Sequence, residues 1–266
     1  MSDDLPDIEQ SPDDQSSKAK GFAWIILAIV IGVGCAVGIS PLVRTIPWSW
    51  EKKMAKTIPA FSSENICPGN AATDELLKRL KARLYPLGPE DEAMPIEIQI
   101  VDRPEVNAYA GLGGKIIVNE GLLDEAQSAE EVAGVLAHEI EHVHRRHILE
   151  GALTHFVTDE LIQVVSTGDV SSDTEWAHYF LRMGFSRSQE AEADEGGLRR
   201  LQKAHIDNQG FRQFFERMKK SETVPAFLSD HPSGKSRFNM VKEFENKNTM
   251  PIMTHAEWLQ LQAYCR

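Results

Sequence analysis

The chain has 266 residues, a formal net charge of -12, 42% hydrophobic residues and three cysteines. A chain of this length buries an adequate core without a disulfide framework, and its apolar content excludes wholesale disorder. With 40 Asp+Glu against 28 Lys+Arg, it lacks the basic footprint that a general nucleic-acid binder needs against phosphates.

Residues 1–20 are rich in Asp, Pro, Ser and Gln without apolar periodicity, which predicts a disordered acidic tail. Residues 21–43, GFAWIILAIVIGVGCAVGISPLV, carry no charge. About 22 helical residues span about 33 Å, enough for a bilayer core, so this segment is expected to be a single transmembrane anchor. Trp24 lies near one end, and Trp48 and Trp50 lie beyond the other, where amphipathic rings favour the interface. Residues 44–57 read as a juxtamembrane linker. The basic residues flanking the anchor, Lys18 and Lys20 before it and Arg44, Lys52, Lys53 and Lys56 after it, favour a cytoplasmic C-terminal domain.

Residues 58–266 form the expected folded domain. Residues 73–85 place Leu76, Leu77, Leu80 and Leu84 on one helical face, and residues 96–101 alternate as a strand does. A Gly-rich turn between NAYAGLGG and KIIVN signals a hairpin. Ser128 with Glu131 forms a capping box opening a long helix to about Arg146; Ser186 with Gln189 and Thr254 with Glu257 cap two more. The Ser166–Ser172 stretch reads as a loop. The fold class is therefore α+β, mostly helical, with a small sheet. Cys67 and Cys265 lie near the two ends of this domain. They are either a disulfide, which requires an oxidising compartment, or two unrelated buried thiols.

The chemistry concentrates in A-H-E-I-E-H-V-H-R-R-H from Ala137. On a helix His138 and His142, four residues apart, project from one face, as two ligands of one ion must. Glu139 can reach a metal-activated water without being a ligand, the division of labour that metal-assisted hydrolysis needs. A catalytic zinc takes a third protein ligand. The later S-R-S-Q-E-A-E-A-D offers Glu190 for that role, with Asp194 one turn on to hold a histidine's distal N–H. Alone, Glu190 would read as a surface acid; beside the histidine helix it reads as a ligand. Glu192 falls on the opposite, solvated side. His144 and His147 read as structural, the latter as a helix-end residue near the last carbonyls.

HEIEH followed by VHRRH, SRSQEAEAD about fifty residues later, and NAYAGLGGKIIVNEGLL upstream together resemble the peptidase family of HtpX, the CAAX-prenyl endopeptidases, the Oma-type mitochondrial proteases and BepA. The similarity covers roughly residues 70–245. It implies a gluzincin, zincin-like metallopeptidase domain with one zinc per chain on His138, His142 and Glu190, Glu139 as base and Asp194 behind a ligand. It also implies that the strand near Lys115, Ile116 and Ile117 is the edge along which a polypeptide substrate lies. Within FLSDHPSGKSR, the resemblance implies that His231 either donates to the developing oxyanion or caps the metal at rest, with Arg237 near the transition state. Asp230 stands where relatives often carry a hydroxyl residue.

The resulting expectation is a membrane-anchored zinc endopeptidase acting on extended or misfolded membrane or envelope proteins. The alternative is a metal-bound chaperone or assembly factor with rare proteolysis. Family precedent and the candidate disulfide place the domain in the periplasm, on a bacterial-type inner membrane, against the local lysine count.

Overall fold

A computed structural model describes residues 40–57, 65–86, 94–154, 184–220, 226–231, 246 and 248–266. The expected tail, nearly all of the expected anchor, the Ser166–Ser172 loop and Arg237 lie outside the described residues. Among the described residues, no helix is long and apolar enough to cross a membrane. The chain divides into two compact units. Met1–Leu42 with Ala152–Asp173 holds few described residues, and Val43–Gly151 with Thr174–Arg266 holds every element named below.

In chain order these are α1 (Trp48–Thr57), α2 (Ala71–Leu84), β1 (Glu97–Val101), β2 (Ala108–Ala110), a 3-10 turn (Leu112–Gly114), β3 (Lys115–Asn119), α3 (Glu120–Glu125), α4 (Ala129–His144), α5 (Arg187–Lys203), α6 (Gln209–Lys220), α7 (Ala226–Asp230) and α8 (His255–Gln262). The architecture is mostly helical with one small mixed sheet, an α+β arrangement. Within residues 44–57, the expected juxtamembrane linker, α1 forms a helix that buries Trp48, Glu51 and Ala55. A glutamate in the buried stripe masks its apolar periodicity.

The sheet order is β1-β3-β2, with β1 parallel and β2 antiparallel to β3. This corrects the expectation for Lys115, Ile116 and Ile117. Their strand is the middle one, paired to β1 through Ile98↔Ile116 and to β2 through Ala110↔Ile116. A strand with both ladders occupied has no edge to offer a peptide, and Ile116 and Ile117 are buried. The hairpin signal holds. Gly113 and Gly114 take φ of 78° and 86°, values that side chains rarely tolerate, and so turn β2 into β3.

Helix α4 is buried on every side rather than along one stripe. Its Val132, Leu136 and Ile140 lie in the same core as Leu198 and Leu201 of α5 and Phe211, Phe214 and Phe215 of α6. Each fully buried Leu or Phe side chain contributes about 1.5–3 kcal/mol. Ser128 caps α4 by accepting from the Glu131 N–H at 3.3 Å. The expected reciprocal bond is absent, because the Glu131 carboxylate accepts instead from the Gln127 N–H at 3.0 Å and from Arg217. The boxes at Ser186–Gln189 and Thr254–Glu257 are complete. Cys67 and Cys265 are joined, with Cα atoms 4.9 Å apart.

Candidate metal centre and catalytic base

The all-round burial of α4 carries polar residues into the core, where each needs a partner. Glu141, on one flank, meets Arg145 at 3.2 Å and also Arg200. On the other flank His138 and His142 turn their Nε2 atoms toward each other at 3.0 Å. The capped first turn of α5 delivers Glu190, whose carboxylate oxygens lie 3.7 Å from His138 Nε2 and 3.5 Å from His142 Nε2. The end of α7 delivers His231, with Nδ1 2.9 Å from Glu190 Oε1 and 3.2 Å from His138 Nε2.

Donor atoms of His138, His142, Glu190 and His231 all lie within 4.8 Å of one another, and all four residues are buried. Four donors bound about 2.0–2.1 Å from a common tetrahedral ion stand about 3.3 Å apart. The observed separations bracket that value, so the imidazole and carboxylate set fits a small tetrahedral ion.

Glu139 stands beside this cluster without joining it. Its Oε2 accepts from the Ala110 N–H at 2.9 Å, and its Oε1 lies 3.3 Å from His231 Nε2. Burial pushes the Glu139 carboxyl above its ordinary range, against the opposing pull of His231 and His138. Burial likewise drives His142 well below the usual imidazole range, which keeps it neutral as a ligand must be. Glu190 is opposed by the same desolvation, but hydrogen bonds from His142 and His231 outweigh it and hold the carboxyl well below its ordinary range. Asp194 Oδ1 lies 2.9 Å from His138 Nδ1, on the ring's far side from the cluster.

Of the residues singled out from sequence, His138, Glu139, His142, Glu190, Asp194 and His231 converge here. Lys115, Ile116 and Ile117 do not, and Arg237 is outside the described residues. Three participants were not legible. The backbone N–H of Ala110 carries no side-chain signal. Phe185 stacks on His142 with centroids 3.7 Å apart, and nothing local in the sequence marks it. His147, expected at a helix end, is buried with Nδ1 3.0 Å from His142 Nδ1, and burial lowers it to about 4. Glu192, expected to be solvated, is half exposed and accepts from Arg145 at 3.0 Å.

Two histidines and a glutamate from adjoining helices, with a second buried glutamate beside them but outside the cluster, are the side chains expected of a metal-dependent peptidase. The chain belongs to Peptidase family M48, whose profile matches residues 79–245, and it is a metalloendopeptidase. It is 29% identical to the mitochondrial metalloendopeptidase OMA1 of Schizosaccharomyces pombe, over 92% of this chain and 80% of that protein. It is 27% identical to the metalloprotease LoiP of Escherichia coli, over 68% of this chain and 74% of that protein. A third relative, the β-barrel assembly-enhancing protease of Escherichia coli, is 23% identical over 61% of this chain, which spans only 37% of that protein.

Proposed function

We propose that the chain is a zinc-dependent endopeptidase that hydrolyses peptide bonds of extended or misfolded polypeptide, with His138, His142 and Glu190 holding one zinc per chain. The convergence of these three donors beside a non-ligating Glu139 carries this reading. Zinc bound there supplies Lewis-acid polarisation and acidifies water at the same point. Glu139, raised by burial and aimed by the Ala110 N–H, takes up a proton and later delivers it to the leaving amine. Asp194 Oδ1, 2.9 Å from His138 Nδ1, is the acceptor placed to take that Nδ1–H once the ring turns to meet it, which would leave Nε2 free to ligate.

Strand β2 is the candidate substrate edge. Gly111 N–H bonds Lys115 C=O and Asn119 N–H bonds Asn107 C=O, so alternate backbone groups between them face away from β3. The Ala110 N–H faces Glu139 on that outer side. An extended peptide laid along β2 would bring a scissile carbonyl beside the base.

Purified wild-type and Glu139→Gln chains test the reading. Both should bind one zinc, while the variant should lose cleavage of an unfolded polypeptide by about a hundredfold or more. A Glu139→Gln protein that cleaves at the wild-type rate overturns it.

A second reading rests on His231. A catalytic zinc keeps its fourth position open, whereas here a fourth donor is within reach of the other three. This favours a resting form capped by His231, consistent with an assembly factor whose proteolysis is latent. Residues 21–43 are proposed as a single membrane anchor, with residues 58–266 as the peptidase domain on the oxidising, periplasmic side. The relatives' names, one mitochondrial and one tied to β-barrel assembly, fit a membrane or envelope substrate.

A further inference from the structure

Helix α4 does not run straight into the helical stretch at residues 147–154. Arg146 between them takes φ of 61°, a left-handed conformation that costs a non-glycine residue about 1 kcal/mol or more. Its side chain is held by four contacts. It donates to the carbonyl of Val43 at 2.9 Å and to that of Ile46, lies 3.4 Å from the Glu51 carboxylate, and stacks 5.0 Å above the Trp48 ring.

The turn decides where His147 points. On an unbroken helix, five residues of about 100° each would place it about 140° around from His142. With the turn, the ring swings back behind His142 and is buried. His142 therefore uses both nitrogens. Nε2 faces His138 and Glu190 at 3.0 and 3.5 Å, and Nδ1 faces His147 Nδ1 at 3.0 Å. Two N–H groups cannot face each other at that separation, so one nitrogen donates and the other accepts. If His142 ligates through Nε2, its proton is on Nδ1 and His147 Nδ1 must be the acceptor. The His147 proton is then on Nε2, with the Glu192 carboxylate 3.8 Å away as a nearby charge rather than a hydrogen-bond acceptor, and Arg145 holds that carboxylate at 3.0 Å.

We propose that His147 is the positioning residue for His142: it accepts the Nδ1–H of that ligand and, with Glu192, does for His142 what Asp194 does directly for His138. This rests on the reading of His142 as a metal ligand. The two ligands then differ in their anchors, one a buried carboxylate and the other a neutral imidazole backed by a half-exposed carboxylate.

The test uses the full chain and measures metal directly. His147→Leu removes the acceptor, while His147→Asn retains an oxygen near the Nδ1 position and His147→Gln displaces it by one bond. Zinc affinity, read by chelator competition, should weaken about 10–100-fold in His147→Leu and His147→Gln and return to within a few-fold of wild type in His147→Asn. The visible absorption of the cobalt-loaded protein should shift in the first two and recover in the third. Equal affinity and equal spectra in His147→Leu and wild type would overturn the proposal. So would His147→Asn as weak as His147→Gln, since packing alone would then explain the loss. Should His147→Leu fail to fold, the Asn and Gln pair still decides. His142→Ala separates the two layers: tight stoichiometric zinc in that variant would show that the ligand assignment itself had failed.

Discussion

The Nε2 of His231 lies 3.3 Å from Oε1 of Glu139, while the other nitrogen of the same ring is 2.9 Å from Glu190. One imidazole thus spans the proposed base and a candidate metal ligand, and on the proposed reading the ring must leave before Glu139 meets a substrate. If this closed form outnumbers the open one by about ten to one, His231→Ala should raise cleavage of an unfolded polypeptide about tenfold. The same variant should bind zinc more weakly. Turnover that falls while zinc affinity holds would assign His231 to the oxyanion instead.

A second prediction concerns Glu51, whose carboxyl burial raises to about 7, against the lowering pull of the Gly113 N–H and Arg146. A carboxyl raised on folding binds protons more readily in the native state. Its contribution is therefore complete below the unfolded value near 4.5 and is lost as pH rises through about 7. Between about pH 5 and about pH 8, wild type should lose on the order of 2–3 kcal/mol relative to Glu51→Gln. Denaturant unfolding of the zinc-saturated proteins measures this, and parallel pH profiles would refute it.

Gly134 lies in the middle of α4, where alanine would ordinarily gain about 1 kcal/mol in helix propensity. A methyl group there would collide with the buried Phe211 ring. Overpacking of this kind costs about 1–3 kcal/mol, so Gly134→Ala should destabilise despite the better propensity. A thermal melt above the wild-type value would show that Phe211 yields without cost.

The Cys67–Cys265 bond closes a loop with a sequence separation of 198. It constrains the unfolded chain, and its loss should cost about 2–5 kcal/mol. Reductant should lower the melting temperature of wild type, and a Cys67→Ser/Cys265→Ser protein should begin at the lowered value and ignore reductant. Equal melting with and without reductant would mean that the bond does not form in the isolated protein.

What could be read from sequence follows from the range of the interactions involved. His138, Glu139 and His142 share one helical turn, and Glu190 and Asp194 share another, so helical period alone aligns each group. Which strand is the edge depends on β1 pairing directly in parallel with β3 although β2 lies between them in sequence, a non-local fact that no local pattern encodes. The role of His147 depends on the φ of Arg146, and that in turn on carbonyls about a hundred residues away. Glu131 met its expected position but not its expected partner, because Arg217 of a distant helix competes for the carboxylate. Local periodicity aligns the candidate ligands of each helix and Asp194, whereas His147 is placed by tertiary contacts.

The burial of His138, His142, Glu190 and His231 has a thermodynamic corollary. An ion that binds only the folded chain adds stability by mass action, about 1.4 kcal/mol for every tenfold rise in its free concentration above the dissociation constant. Loss of the bound metal would therefore lower the stability of the fold as well as the activity.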